Sequence, residues 1–302
     1  MKEKILKTFG DGKLPVRIGY MGAGMILAAH WTLEPLLFIA GLPKSGTTWL
    51  EQLFNYTPGL VQLNKSRLRK YPSIESLNLK HSHYIHPEML SCAPKNLLSF
   101  LKLHLDPHPE NLNILEESGL KTVVLIRDIR DMLISRYYHV MNDQNHWDYE
   151  RLKNISSQSR LIESMKAKDP ESSMLVIEYY NYWINGWLGI IKDYPENYLL
   201  IKYEEMNSNL SFVLKSILKF YGVELSDSSI RKIIHKNKKL HSTVSKSSLS
   251  ENLNKVGREQ STFRKGVTGE WRSLFNQELI DYVKIYSAET LINSGYEKDH
   301  NW

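Results

Sequence analysis

One segment of the chain nearly dictates its own local fold: LFIAGLPKSGTTWLEQLF, from Leu37 to Phe54. The apolar run LLFIA (36–40) gives way to a loop bracketed by Gly41 and Gly46, after which Trp49, Leu50, Leu53 and Phe54 recur at helical spacing. A strand, a glycine loop and a helix in this order set backbone amides and a helix N-terminus around an anion. The glycines keep the spacing of the ATP-binding loop G-x-x-x-x-G-K-[ST]. Thr47, however, stands where that loop has its lysine, and Lys44 lies inside the loop instead. The lysine and hydroxyl pairing that holds magnesium and a γ-phosphate is therefore lost. The anion site at Ser45, Gly46, Thr47 and Thr48 is kept. Such a loop suits a 5′-phosphate that carries something other than a phosphoryl chain.

Further apolar runs mark strands at 97–105 (LLSFLKLHL), 121–126 (KTVVLI) and 198–203 (YLLIKY), and helical patterns fall at 173–194, 209–223 and 276–295. Alternating strands and helices predict an α/β fold with a parallel sheet covered on both faces. With 302 residues, 42% of them hydrophobic, there is enough chain for one large domain with a real core. We read residues 1–302 as a single domain. The stretch 235–261, rich in Ser, Lys and Asn and without period, reads as a long mobile loop, an active-site lid or acceptor loop.

Net charge is +6, which favours a polyanionic ligand, but no long Lys/Arg run marks a nucleic-acid tail. The single cysteine, Cys92, rules out an intrachain disulfide and fits a reducing compartment. The apolar stretch 18–31 follows a basic start, as in a signal peptide. As a membrane span it is too short and is interrupted by His30, and the loop strand follows directly. It reads as a segment packed on the domain, and the protein as soluble and cytoplasmic, with no membrane partner.

Two further motifs speak to the same anion. In IRDIRDMLISRYYHV (126–140), Asp128 can cap a helix whose buried face is Ile129, Leu133, Ile134 and Tyr137. Arg127 then sits at a strand's carboxyl end, where open α/β sheets bind ligands, with Ser135 two turns on. In FRKGVTGEW (263–271), Arg264 and Lys265 offer two cations and Gly266 a close-approach amide, a grip for a phosphate dianion.

These three stretches resemble the sulfotransferases that use 3′-phosphoadenosine 5′-phosphosulfate (PAPS). PKSGTTWL (43–50) looks like their 5′-phosphosulfate loop, Arg127 with Ser135 like their 3′-phosphate motif, and RKGVTGEW (264–271) like their R-K-G-x-x-G-x-W motif. The resemblance spans most of the chain. It implies a P-loop-like three-layer α/β fold with a central parallel sheet of about five strands, and sulfuryl transfer without a metal, with PAPS as donor and PAP as product. Lys44 would stabilise the leaving phosphate, Ser135 would bind the 3′-phosphate and restrain Lys44, and Trp49 and Tyr203 would contact adenine. A core position on its helix face remains the other reading of Trp49. KLHLDP (102–107) is similar to the family's K-T-H-L-P segment, which would make His104 the general base with Lys102 beside it. It departs from the pattern at Leu103 and Asp106.

Among the eleven histidines, His81, His83 and His86 have a spacing that could ligate metal, but no cysteine or carboxylate cluster accompanies them. They compete with His104 as base or line an acceptor pocket. The family's dimer motif is poorly matched by RSLFNQELID (272–281), which leaves oligomeric state open. The acceptor walls are expected from 64–73, 81–90, 141–150 and 235–261, where Asp143, Asp148 and Glu150 would welcome a cation. The acceptor reads as a small polar or mixed-polarity molecule, hydroxyl before amine. A nucleotide-dependent kinase and a non-catalytic nucleotide-binding module are the alternatives. A secretory carbohydrate or tyrosine sulfotransferase is disfavoured by the missing anchor and the single cysteine.

Overall fold

A computed structural model describes residues 36–63, 83–91, 93, 98–247 and 265–302. Its sheet holds five parallel strands in the order β2-β3-β1-β4-β5: β1 (Leu36–Gly41), β2 (Val61–Gln62), β3 (Ser99–Leu103), β4 (Thr122–Ile126) and β5 (Tyr198–Lys202). Every residue of β1 and β4 is buried, as their uninterrupted apolar runs require when helices cover both faces. β2 has only two half-buried residues, too short for a sequence signal.

Side-chain alternation along the strands builds a core on each face. On one face Leu37, Ile39, Phe100, Val123 and Leu125 meet α1 (Thr47–Asn55), with α8 (Tyr203–Phe220) and α9 (Asp227–Ser247) beyond. On the other, Phe38, Ala40, Leu101, Leu103 and Val124 meet α4 (Ile129–Asn142), α7 (Val176–Asp193) and α11 (Gln277–Asn293). Short helices complete the chain: α2 (Pro87–Ser91), α3 (Pro109–Glu117), α5 (Tyr149–Lys153), α6 (Arg160–Met165) and α10 (Trp271–Leu274). The three-layer α/β architecture with five parallel strands is the one expected. The neighbours β1 and β4 send their helices to opposite faces, α1 to one and α4 to the other. Their carboxyl ends thus open a crevice at a topological switch point, with Lys44 on one lip and Arg127 on the other.

Two expectations need correction. The stretch 235–261 does not begin as a loop, because α9 continues through residue 247. Ile230, Ile233, Ile234 and Asn237 fall at helical spacing and turn inward, while Arg231, Lys232, His235 and Lys236 are solvated. The polar outer face hid the period. Residues 248–261 lie outside the described set, as do residues 1–35, 64–73 and Cys92. The helix expected at 209–223 starts earlier, at Tyr203, with a non-helical break at Asn209 whose side-chain Oδ1 accepts from Phe212 N–H at 3.1 Å. The sequence pattern had found only the second half. Among the described residues no helix is long and apolar enough to cross a membrane.

On the α4 side, Asp148 is buried and accepts from Arg136 (Nη2, 2.9 Å) and Arg151 (Nε, 2.7 Å), while Arg136 also donates to Ser164 O. Asp148 thus ties α4 to α5 and α6. Asp148→Ala should cost about 3 kcal/mol or more in urea unfolding, because it strands a buried guanidinium. Glu150→Ala, which removes an exposed partner of Lys153, should leave the midpoint nearly unchanged.

Candidate active site

The loop after β1 is held by its own turn. Ser45 is wholly buried, and both its N–H (3.2 Å) and its hydroxyl (2.8 Å) donate to Leu42 O. Ser45 therefore shapes the loop from within, which departs from its expected place among the anion donors. Lys44 has φ 72°, a left-handed backbone rare outside glycine, and its carbonyl accepts from Arg127 Nη1 at 3.4 Å. The intrahelical bonds of α1 begin with Trp49 and Leu50 N–H to Gly46 O, at 2.9 and 3.2 Å. The first-turn amides at Thr47 and Thr48 thus precede the helix ladder at its positive end.

Tyr203, the first residue of α8, is where the three motifs meet. A Cβ at Gly46 (φ 98°) would sit 2.4 Å from its ring, so residue 46 must be glycine on two counts. The Arg127 guanidinium lies 4.3 Å over the same ring, Trp49 packs edge-on at 5.4 Å, and the Gly266 backbone passes close to the phenol oxygen. Burial pushes the Tyr203 phenol up against the opposing pull of Arg127. Trp49 is both a core residue and part of this cluster: buried, with its Nε1 donating to Asn237 Oδ1 at 2.6 Å.

His104 follows β3 directly and is buried, with Nδ1 donating to Gly41 O at 2.5 Å. A carbonyl can only accept, so Nδ1 carries the proton and Nε2 the lone pair. The backbone beyond His104 is clamped by α7. Trp183 and Trp187 both donate through Nε1 to Leu105 O (2.8 and 3.1 Å), and a Cβ at Gly186 would strike Pro107 at 2.5 Å. Lys102 is half-buried on β3, opposite Ile39 of β1.

Ser135 and His139 lie one turn apart on α4. Burial, reinforced by the Lys44 ammonium and His146, pushes the His139 imidazole down to about 4. Of the third motif, Arg264 lies outside the described residues. Lys265 is exposed and paired with Glu270 at 2.9 Å. The loop behind it is pinned by buried Asp131, which accepts from Gly269 N–H (2.6 Å) and Trp271 N–H (3.1 Å). Arg127 Nη2 donates to Val267 O at 2.9 Å, joining the second motif to the third.

Residues 34–295 match the family described as the sulfotransferase domain. The chain belongs to the sulfotransferase family. Cytosolic sulfotransferase 3 of Arabidopsis thaliana is 25% identical over 270 residues, 84% of this chain and 76% of that protein. Cytosolic sulfotransferase 10 of the same plant is 25% identical over 323 residues, 93% and 91%. Two solved structures share the fold: mouse sulfotransferase SULT7A1 complexed with PAP, and retinol dehydratase in complex with androsterone and inactive cofactor PAP. The first has TM-score 0.63 and 18% identity, covering 92% of this chain and 93% of its own. The second has TM-score 0.56 and 18% identity, covering 90% and 85%.

Within this sulfotransferase, His81 lies outside the described residues and His83 is engaged elsewhere. His83 Nδ1 meets Asp106 (3.2 Å) and Tyr179 (2.7 Å), and Nε2 meets Glu171 at 3.0 Å. Burial pushes its imidazole down, but Asp106 and then Glu171 and Asp169 outweigh that and raise it. Among the described residues, no three His, Cys, Asp or Glu groups are placed to hold a metal ion. Of the carboxylates expected to greet a cation, Asp148 is locked between arginines and Glu150 pairs with Lys153. Asn237, Asp131 and the Gly41 carbonyl went unnoticed in the sequence, for no local pattern links them to the motifs they serve.

The Gly46 geometry yields a direct test. Gly46→Ala should unfold at lower denaturant and weaken adenine-nucleotide binding at least tenfold, because both the backbone and the Tyr203 ring oppose a Cβ. Calorimetry alongside urea melts would separate the two effects, and an unaltered affinity would contradict this packing.

Proposed function

We propose that this single-domain sulfotransferase moves the sulfuryl group from PAPS to a hydroxyl, less readily an amine, of a small metabolite of polar or mixed polarity, in the cytoplasm. The observation that carries the reading is the convergence of all three motifs on Tyr203, at the same carboxyl edge of the sheet where His104 is held by Gly41 O in the tautomer that leaves Nε2 basic. The residues fit the donor. Arg127 Nε is buried with no hydrogen-bond partner among the described residues, a donor suited to a phosphate oxygen. Gly46 and Gly266 keep side chains off the approach to Tyr203, and the α1 N-terminus favours an anion.

When bound, PAPS supplies the sulfuryl group and a phosphate leaving group. His104 takes the acceptor's proton at Nε2 as the acceptor oxygen bonds to sulfur, and Nδ1–H to Gly41 O holds the ring for that transfer. With PAPS bound, Lys44 would stabilise the charge on the leaving phosphate, assisted by Lys102, and the amides of Gly46, Thr47 and Thr48 would hold the 5′-phosphate. Arg127, Ser135, Arg264, Lys265 and Gly266 would hold the 3′-phosphate, and Ser135 would restrain Lys44. Trp49, Tyr203 and the Asn237 amide would line the adenine site. The names of the plant relatives support the cytosolic assignment.

The test pairs an acceptor panel with His104→Ala. Labelled PAPS should give sulfated product with wild type, and the variant should lose about 10²–10⁴-fold in kcat while PAP still raises Tm. ADP with magnesium protecting better than PAP would replace this reading with a kinase.

A further inference from the structure

The segment after α11 reaches back to the base of the donor site. α11 closes at Gly295 (φ 69°), where Tyr296 and Glu297 N–H both donate to Leu291 O. This turn aims three side chains at the starts of α4, α8 and α10. Tyr296 donates to Glu204 Oε2 at 2.7 Å, and Glu204 Oε1 accepts from Asp128 N–H at 3.2 Å. Glu297 accepts from Arg130 Nη1 at 2.5 Å. Trp302 lies 4.5 Å from the same guanidinium, on which Trp271 lies at 3.7 Å, and the two indoles meet edge to face at 5.8 Å.

Arg130 is thus fully buried, forked onto Asp128 (2.9 and 2.7 Å), closed by Glu297 and flanked by two tryptophans. Its neighbours in sequence include the groups that face the donor. Arg127 is three residues back, and Asp131, the next residue, pins Gly269 and Trp271. Trp271 ends the motif that begins with Arg264 and Lys265. The position of the Lys265–Gly269 loop therefore depends on Trp271, and that of Trp271 on Arg130 and Trp302. Glu297 and Trp302 meet Arg130 and Trp271, so their effect on the loop runs through those two residues.

We infer that Glu297 and Trp302 are positioning residues for the 3′-phosphate subsite, a clasp that holds Arg130 and Trp271 and with them the loop carrying Lys265 and Gly266. The inference rests on the donor proposed above. Its chemical signature is selective: a displaced clasp weakens the grip on a nucleotide's 3′-phosphate and leaves contacts to adenine and the 5′-phosphate in place. A merely structural role would weaken both together or neither.

The experiment measures, by calorimetry on the full chain, affinities for adenosine 3′,5′-bisphosphate and for adenosine 5′-monophosphate, which lacks the 3′-phosphate. Wild type, Glu297→Gln, Trp302→Ala and Trp302→Phe are compared, with exposed Glu289→Gln as control. Wild type should prefer the bisphosphate strongly. Glu297→Gln and Trp302→Ala should each cut that preference about tenfold with little change for the monophosphate. Trp302→Phe, which keeps an aromatic face on Arg130, should recover most of it. An unchanged preference in Glu297→Gln overturns the clasp, and this isosteric variant decides the matter even if Trp302→Ala fails to fold. A wild type with no preference for the bisphosphate would instead overturn the donor reading, and the clasp's role with it.

Discussion

The buried ring of Tyr203 is the contact on which the donor end of the sheet depends. It stands at the N-terminus of α8, one residue past β5, and fills the space that a side chain at residue 46 would need. Arg127, from the end of β4, lies on its face, while Trp49, from α1, meets it edge-on. The loops that leave β1 and β4 are thereby packed against one rigid aromatic surface at the end of β5. Their relative placement then follows from the sheet, which is the stiffest part of the fold.

A similar economy governs His104. Its ring is fixed at one nitrogen by the last carbonyl of β1, and its backbone is fixed one residue later by two indole N–H groups of α7. The same β1 residue, Gly41, opens the anion loop. The proposed base and the proposed leaving-group loop therefore share a single anchoring peptide, and a shift in one would move the other.

What was legible in the sequence was what is local. The loop around Lys44, the Asp128 cap with Arg127 and Ser135, and the R-K-G stretch each declare themselves within fifteen residues, because strand, turn and helix chemistry are short-range. The three-layer sheet followed from the alternation of apolar runs and helical patterns. The partners that orient these motifs come from far along the chain: Asn237 to Trp49, Gly41 to His104, Glu297 to Arg130. No period or spacing reports a contact between residues 63, 167 or 188 positions apart. α9 was misread for a different reason. Its inward face is only a narrow stripe of isoleucines and one asparagine, and its lysines and histidines dominate any composition-based reading.

The buried charges around Arg130 explain why so much of the chain serves one corner. Arg127, Asp128, Arg130 and Asp131 are all buried, and desolvating four ions costs more than their pairwise attraction returns unless every hydrogen-bonding group is met. A hydrophobic corner would be the more stable solution for folding alone. Nor can the two guanidiniums simply approach a ligand together, since unpaired they would repel each other and collapse onto the nearest carboxylate. Asp128 and Glu297 engage Arg130 completely, and two indoles cover its faces, so it acts as a fixed strut. Arg127 is engaged at Nη1 and Nη2 by backbone carbonyls, while its Nε is left unsatisfied by the described residues. The arrangement thus converts one of two neighbouring cations into scaffold and leaves the other with a buried donor, as a site for a phosphate dianion at the end of β4 would require.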